Sequence, residues 1–399
     1  MKGSSVLKKL LLLCSLTAVG HLTAGSDLQN YLTQEKNLIF DYQEMKNQLE
    51  MDKLHDSWIS PITVSYQENW TTQPLSGTQS SSAFSVGIDQ PIFRSGGIYY
   101  AIKYSDALRG ANSRDIAMKK RALIGQAIDI LFSIRKLKLQ HQKLRLLVHN
   151  DNIDIQRKQE SYNAGILDSS FLDQAILKRN QNESQLLDIE LNLAKLRSSF
   201  KLLSRKNPDK LRVPHLRMIS LKHYKRNHMD VAKKELRTLE KKYSSKITWA
   251  KYLPSISVHA RYTNTNRHAP GMDDDYSTYG FKISVPLNIN SATDIESSRV
   301  SYMQSMTELQ DSRRAVGLEY NIVRKSIAIL NKKSALAKKD ERLYRRLYSR
   351  TKDLVKAGEK TKQDVQTMRN SLAIKKLDRR IFALEKQQQL LKLYTKVSR

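Results

Sequence analysis

Disulfide chemistry is nearly closed to this chain, because only one of its 399 residues, Cys14, is a cysteine. Stability must therefore come from packing or from assembly. Helix and strand breakers are sparse, with 8 prolines and 14 glycines, so long uninterrupted elements are expected. Aromatic residues make up 7% and hydrophobic residues 40%, which suits paired helices better than a large globular core. Beyond the N-terminal segment no apolar run approaches the roughly 20 residues a membrane helix needs. Any membrane insertion must then be through strands. There is no Gly-rich phosphate loop, no His-Glu-x-x-His and no nucleophile elbow. His223 and His228 are five apart, wrong for two ligands on one helical face. No enzyme, cofactor or resident metal is expected. Met303 and Met306 could share a face toward a soft metal, but core packing explains them more simply.

The N-terminus has the layout of a secretory signal: Lys2, Lys8 and Lys9, an apolar run from Leu10 to Gly20, then small residues at Ala18, Gly20 and Ala24. Residues 1–24 are read as that signal. Cys14 is a poor lipidation site, since Leu13 precedes it where a small residue is preferred. Net charge is +30, or +27 without the signal. So basic a balance would suggest nucleic acid in a cytoplasmic protein. The cations are spread along helices, however, and two readings stay open: a solvated surface, or a basic passage that favours anions.

A spacing of 193 residues organises the rest. Pro61 opens the alternating run Ile62, Val64, Tyr66, and Pro254 opens Ile256, Val258, Ala260, Tyr262; Ala164-Gly165 is echoed by Ala357-Gly358. The stripe Leu123, Ala127, Ile130, Ile134, Leu137 is answered by Val316, Tyr320, Val323, Ile327, Leu330. The expectation is an internal duplication in which each copy runs helix, two strands, long helix, turn, helix. Residues 25–205 form the first repeat, 206–220 a linker with Pro208 and Pro214, and 221–399 the second repeat. The stretches before the strand pairs differ in charge: residues 26–56 carry net −4 and residues 201–248 net +11.

Each predicted strand is apolar on one side and small or polar on the other. Phe84, Val86 and Ile88 oppose Ser85, Gly87 and Asp89; Tyr279, Phe281, Ile283 and Val285 oppose Gly280, Lys282 and Ser284. A barrel wall between lipid and water has this pattern, as does a sandwich core. Four strands make a poor sandwich and cannot close a membrane barrel, so the chain is expected to share a barrel with copies of itself. Asp89, His259, Arg261 and Lys282 are then candidates for its lumen. The connections Thr71 to Ser82 and Thr265 to Thr278 read as exposed loops. In the second, Asp273, Asp274 and Asp275 could hold a divalent cation, although a solvated acidic loop is the simpler account.

After each strand pair the period changes to that of a coiled coil. A helix from about Ile98 to Asn163 would reach on the order of 100 Å at 1.5 Å per residue. Returning seams follow, Leu186, Ile189, Leu193, Leu196, Phe200, Leu203 in one copy and Val365, Met368, Leu372, Leu377, Ile381, Leu384 in the other. Gly165 and Gly358 supply the reversals.

These residues together resemble the TolC family of outer-membrane efflux proteins. The likeness rests on the strand entry Leu253-Pro254-Ser255-Ile256, the exit Gln90-Pro91-Ile92-Phe93 with Gly96-Gly97, and the turns Tyr162-Asn163-Ala164-Gly165 and Val355-Lys356-Ala357-Gly358. It implies an α+β membrane protein in which long antiparallel coiled-coil hairpins form an α-barrel. It implies a homotrimer with a 12-stranded β-barrel in outer-membrane lipid of a Gram-negative bacterium and a periplasmic tunnel. It also implies two partners, a periplasmic adaptor (membrane fusion protein) docking at the tips around Gly165, Gly358, Asn163 and Lys356, and an inner-membrane pump of RND or ABC type. In such proteins a basic residue and an acid after the second turn hold the tunnel closed, and Lys360 and Asp364 match those positions. The first hairpin departs, with Leu167 and Phe171 at the corresponding places and Asp168 and Asp173 nearby. Thr367 stands where a second acid would be.

The implied function is passive export, of small molecules, metal ions or polypeptides. The alternative is a non-channel envelope spacer or adhesin, which would need no membrane-facing strands.

Overall fold

A computed structural model describes residues 31–73, 77–266 and 274–398. The proposed signal and Asp273 lie outside them. The element order is α1 (Gln34–His55), β1 (Thr63–Gln73), β2 (Gly77–Phe93), α2 (Gly97–Asn163), α3 (Ser169–Lys201), α4 (Leu221–Arg226), α5 (Met229–Lys251), β3 (Ser255–Thr265), β4 (Asp275–Ser284), α6 (Ser291–Lys356) and α7 (Lys362–Tyr394). None of the helices among the described residues is long and apolar enough to cross a membrane.

The four strands form one antiparallel sheet in the order β1-β2-β3-β4. The Ser/Thr-rich run at Thr71–Ser82, expected as a loop, is largely strand. Thr71 pairs with Gln79 and Thr72 with Thr78, whose hydroxyl groups are 3.0 Å apart. The physical reason is that hydroxyl side chains satisfy one another across a pair, so a polar ribbon can extend beyond the apolar zone. The second connection is also shorter than expected, because β4 begins at Asp275. Where the strands meet the helices, Ser95 Oγ donates to the Pro254 carbonyl at 2.6 Å and ties the exit of one strand pair to the entry of the other.

The helices make a single layer. α2 has 67 residues and α6 has 66, each about 100 Å long at 1.5 Å per residue. α2 packs on α3 through the expected seams: Ala127, Ile130 and Ile134 are buried with Leu193, Phe200 and Leu203. Val316, Tyr320, Val323 and Ile327 of α6 pack on Leu390 and Leu393 of α7. The second returning seam does more than mirror the first. Leu377 and Ile381 face Leu139 of α2, while Leu390 and Leu393 face α6. α7 therefore sits between the two long helices and is apolar on both flanks, which leaves α3 and α6 as the two edges of this end of the layer.

Halfway along, short helices abut end to end. Thr33 N–H donates to the Leu203 carbonyl, joining the start of α1 to the end of α3; Met229 N–H donates to the Lys396 carbonyl, joining α5 to α7, both at 2.9 Å. Here buried Tyr224 and His228 meet the half-buried Glu319 in a knot, with Tyr224 Oη 3.0 Å from Glu319 Oε2. Opposite the second junction, Gly125 of α2 leaves room for the Thr395 methyl group.

Candidate functional site

The register places the predicted faces without ambiguity, because directly paired residues of an antiparallel sheet project to the same side. Val64 pairs with Val86 and Val86 with Tyr262; Ala260 pairs with Tyr279 and Val258 with Phe281. Their apolar side is bare. Tyr279 is 84% exposed, Phe281 72% and Ile283 62%. The opposite side carries Asp89 paired with His259, Gly87 paired with Arg261, and Ser257 paired with Lys282. All four residues proposed from sequence for a lumen thus share one face. Arg261, Lys282 and Asp89 are exposed and His259 is half-buried. The strands β1 and β4 end the sheet, so the outer hydrogen-bonding edge of each has no strand against it.

Two glycines make that face. A Cβ on Gly280 would lie 3.1 Å from the His259 ring, and one on Gly87 would lie 3.3 Å from Arg261 Cβ. Each large side chain rests over a neighbour with none.

At the far end of the helices the two reversals are built alike. Gly165 has φ +71 and Gly358 φ +78, both with open space around them. Ile166 N–H bonds to the Ser161 carbonyl and Glu359 N–H to the Leu354 carbonyl, each at 2.9 Å, so the last carbonyls of α2 and α6 are satisfied through a left-handed glycine. Asn163 accepts from Gln159 at 2.9 Å, and Lys356 is exposed at the same level of the other hairpin.

Asp364 is engaged twice. It forms a capping box with Thr361 at the start of α7, and its Oδ1 lies 2.8 Å from an Arg157 guanidinium nitrogen on α2. Burial raises its pKa, but the Thr361 amide and hydroxyl and the Arg157 charge outweigh that and hold it below the ordinary carboxylate value. Lys360 precedes the cap, is exposed, and forms no ion pair among the described residues. It lies outside α7, whose cap is Thr361, and so shares no helical face with Asp364. The cation against Asp364 is Arg157; it lies 207 positions upstream, beyond the reach of any local motif. Asp168 caps α3 by accepting from Ser170 N–H at 2.7 Å, and that backbone bond lowers its pKa. Asp173 is exposed on the following turn, and Thr367 bonds back to the Gln363 carbonyl.

No family model matches this sequence, and neither does any curated protein. The fold has clear counterparts among solved structures. The outer membrane protein VceC from Vibrio cholerae matches with a TM-score of 0.74 at 13% identity, over 93% of this chain and 95% of that one. The CmeC outer membrane channel of Campylobacter jejuni gives 0.72 at 13%, over 92% and 84%. CusC, described for its folding and transmembrane channel formation, gives 0.71 at 13%, over 96% and 95%. Matched over nine-tenths or more of its length in each case, the chain has the fold of the TolC family of outer-membrane channels.

Proposed function

We propose that three copies of this chain close into an outer-membrane channel-tunnel that exports cargo passively, with an adaptor at its hairpin tips and an inner-membrane pump supplying the energy. The observation that carries this is the pair of open edges on one protomer. On α6 a second apolar stripe, Leu318, Ile322, Ile329, Leu336, Leu343 and Leu347, steps by four and seven and is 39–65% exposed. On the opposite edge α3 exposes Leu177, Leu187 and Leu191. Seams of this length are knobs without holes, and they call for a neighbouring helix. Because the two edges differ, each joins the unlike edge of the next copy, and a head-to-tail interface of that kind forms a ring when its rotation closes. The sheet behaves likewise: four strands with a lipid-compatible face and two free edges fall short of the roughly eight that small bacterial barrels use. A spacer or adhesin would use neither the bare apolar sheet nor its polar reverse.

Native mass spectrometry in detergent is the test. A stable trimer is expected, and a stable monomer overturns the reading. Crosslinkers at Asn163 and Lys356 should capture the adaptor; capture at the strand connections instead would reverse the orientation.

A further inference from the structure

We propose that the polar face of the strands is an anion filter, so that this channel passes anionic cargo in preference to cations. The inference rests on the channel reading above and assigns a substrate class to it. Three consecutive inward positions carry the argument. Lys282, His259 and Arg261 lie on successive rungs of this face, at the end of the sheet nearest the helices. Alternate residues of a strand are about 7 Å apart, so closure of the barrel stacks these side chains as three rings around one passage.

The charge on this face is one-sided. Neither Arg261 nor Lys282 has an acidic partner among the described residues. β1 contributes only uncharged side chains here, Thr63, Ser65, Gln67, Asn69 and Thr71. Asp89 is the single acid within the strands on this side, and it is paired across the ladder with His259. Two fixed cations against one fixed anion leave each protomer net positive, and every ring multiplies the excess. Charges of one sign facing a confined passage concentrate their counter-ions.

The glycines show that the arrangement is built. Gly280 leaves its space to the His259 ring and Gly87 to the stem of Arg261. Asp89 on β2, and Arg261 and Lys282 along and across the ladder, are the charged groups around His259; Gly280 brings none.

The experiment is the reversal potential of purified protein in planar bilayers under a KCl gradient, in the wild type and in an Asp364→Ala background so that the hairpin tips do not set the ratio. The expected sign is that of an anion-selective pore. Arg261→Gln with Lys282→Gln should lower the anion-to-cation permeability ratio roughly twofold or more, and Asp89→Asn should raise it. A conducting pore that selects cations, or one whose ratio ignores the Arg261 and Lys282 substitutions, overturns the filter while leaving the channel standing. Absence of any conductance from inserted protein overturns the channel reading, and the filter with it.

Discussion

Arg157, near the end of α2, holds Asp364, on the first turn of α7, at 2.8 Å, so the two hairpins of one protomer are joined by an ion pair a few residues from their tips. Both side chains are partly exposed, at 36% and 24%. Such a pair contributes under about 1 kcal/mol, and a threefold ring would make three of them act together. Arg157→Ala is therefore expected to raise single-channel conductance while the thermal midpoint stays within a degree or two. Asp364→Ala should do the same at a larger cost, since it also removes the capping box, worth about 1 kcal/mol. Unchanged conductance in both would remove the gate from this pair and return attention to Asp173.

The same contact predicts a direction with pH. The folded-state pKa of Asp364 is depressed, so its stabilising effect is complete above the ordinary carboxylate value of 3.8 and is lost as pH falls through the lower, folded value. Conductance governed by this pair should stay flat from neutral pH down to about that value and rise only below it. A rise already complete near pH 6 would point to another group.

His228 gives the junction halfway along the helices its own pH dependence. The ring is buried, neither nitrogen has a hydrogen bond, and Glu319 is 3.9 Å away. Burial lowers its pKa below 6.5, with Glu319 and Asp230 opposing and Lys396 adding to the effect. The unfolded chain then takes up the proton first. Stability is full above 6.5 and declines as pH falls toward the folded value. Thermal unfolding between pH 7.5 and 5 should show this decline in the wild type. His228→Phe, which keeps the edge contact with Tyr224 and forfeits no hydrogen bond, should flatten it. A decline of the same slope in the variant would assign it elsewhere.

Two effects of similar size compete at Gly125. Alanine in a helix interior gains about 1 kcal/mol over glycine, but here its Cβ would overlap the Thr395 methyl group and cost about as much. Gly125→Ala alone should be nearly neutral. Introduced into Thr395→Ser, which removes the methyl, it should stabilise by about 1 kcal/mol. The difference is read from a double-mutant cycle of chemical unfolding, and additivity of the two changes would show that the close approach is not felt.

Gly358 makes a purely conformational test. With nothing near it and φ +78, valine there meets no clash and is penalised only by its backbone, by roughly 1–2 kcal/mol. Asparagine should recover most of that loss. Equal effects of the two residues on thermal unfolding would mean that the turn has opened to another conformation.

Sequence patterning carried the periodic parts of this structure well. The helix expected from Ile98 begins at Gly97 and ends at Asn163 as read, the reversal glycines are both left-handed, and the strand alternation assigns the faces correctly. Periodicity failed where the signal is not periodic. The Ser/Thr ribbon at Thr71–Ser82 has no apolar beat, yet pairs as strand. The Arg157–Asp364 contact and the Tyr224–His228–Glu319 knot join residues far apart in the chain, and nothing at either end announces the other.

The equal lengths of the rods impose a rule on how such a chain can change. α2 and α6 differ by one residue, α3 and α7 not at all, and their reversals stand side by side. Adding seven residues to α2 alone would carry one tip about 10 Å past the other and pull Arg157 out of reach of Asp364. Only insertions of whole heptads, made together on both arms of both hairpins, keep every seam in phase. The reach of this molecule is thus a quantised dimension, open to lengthening in steps of four matched segments and closed to anything smaller.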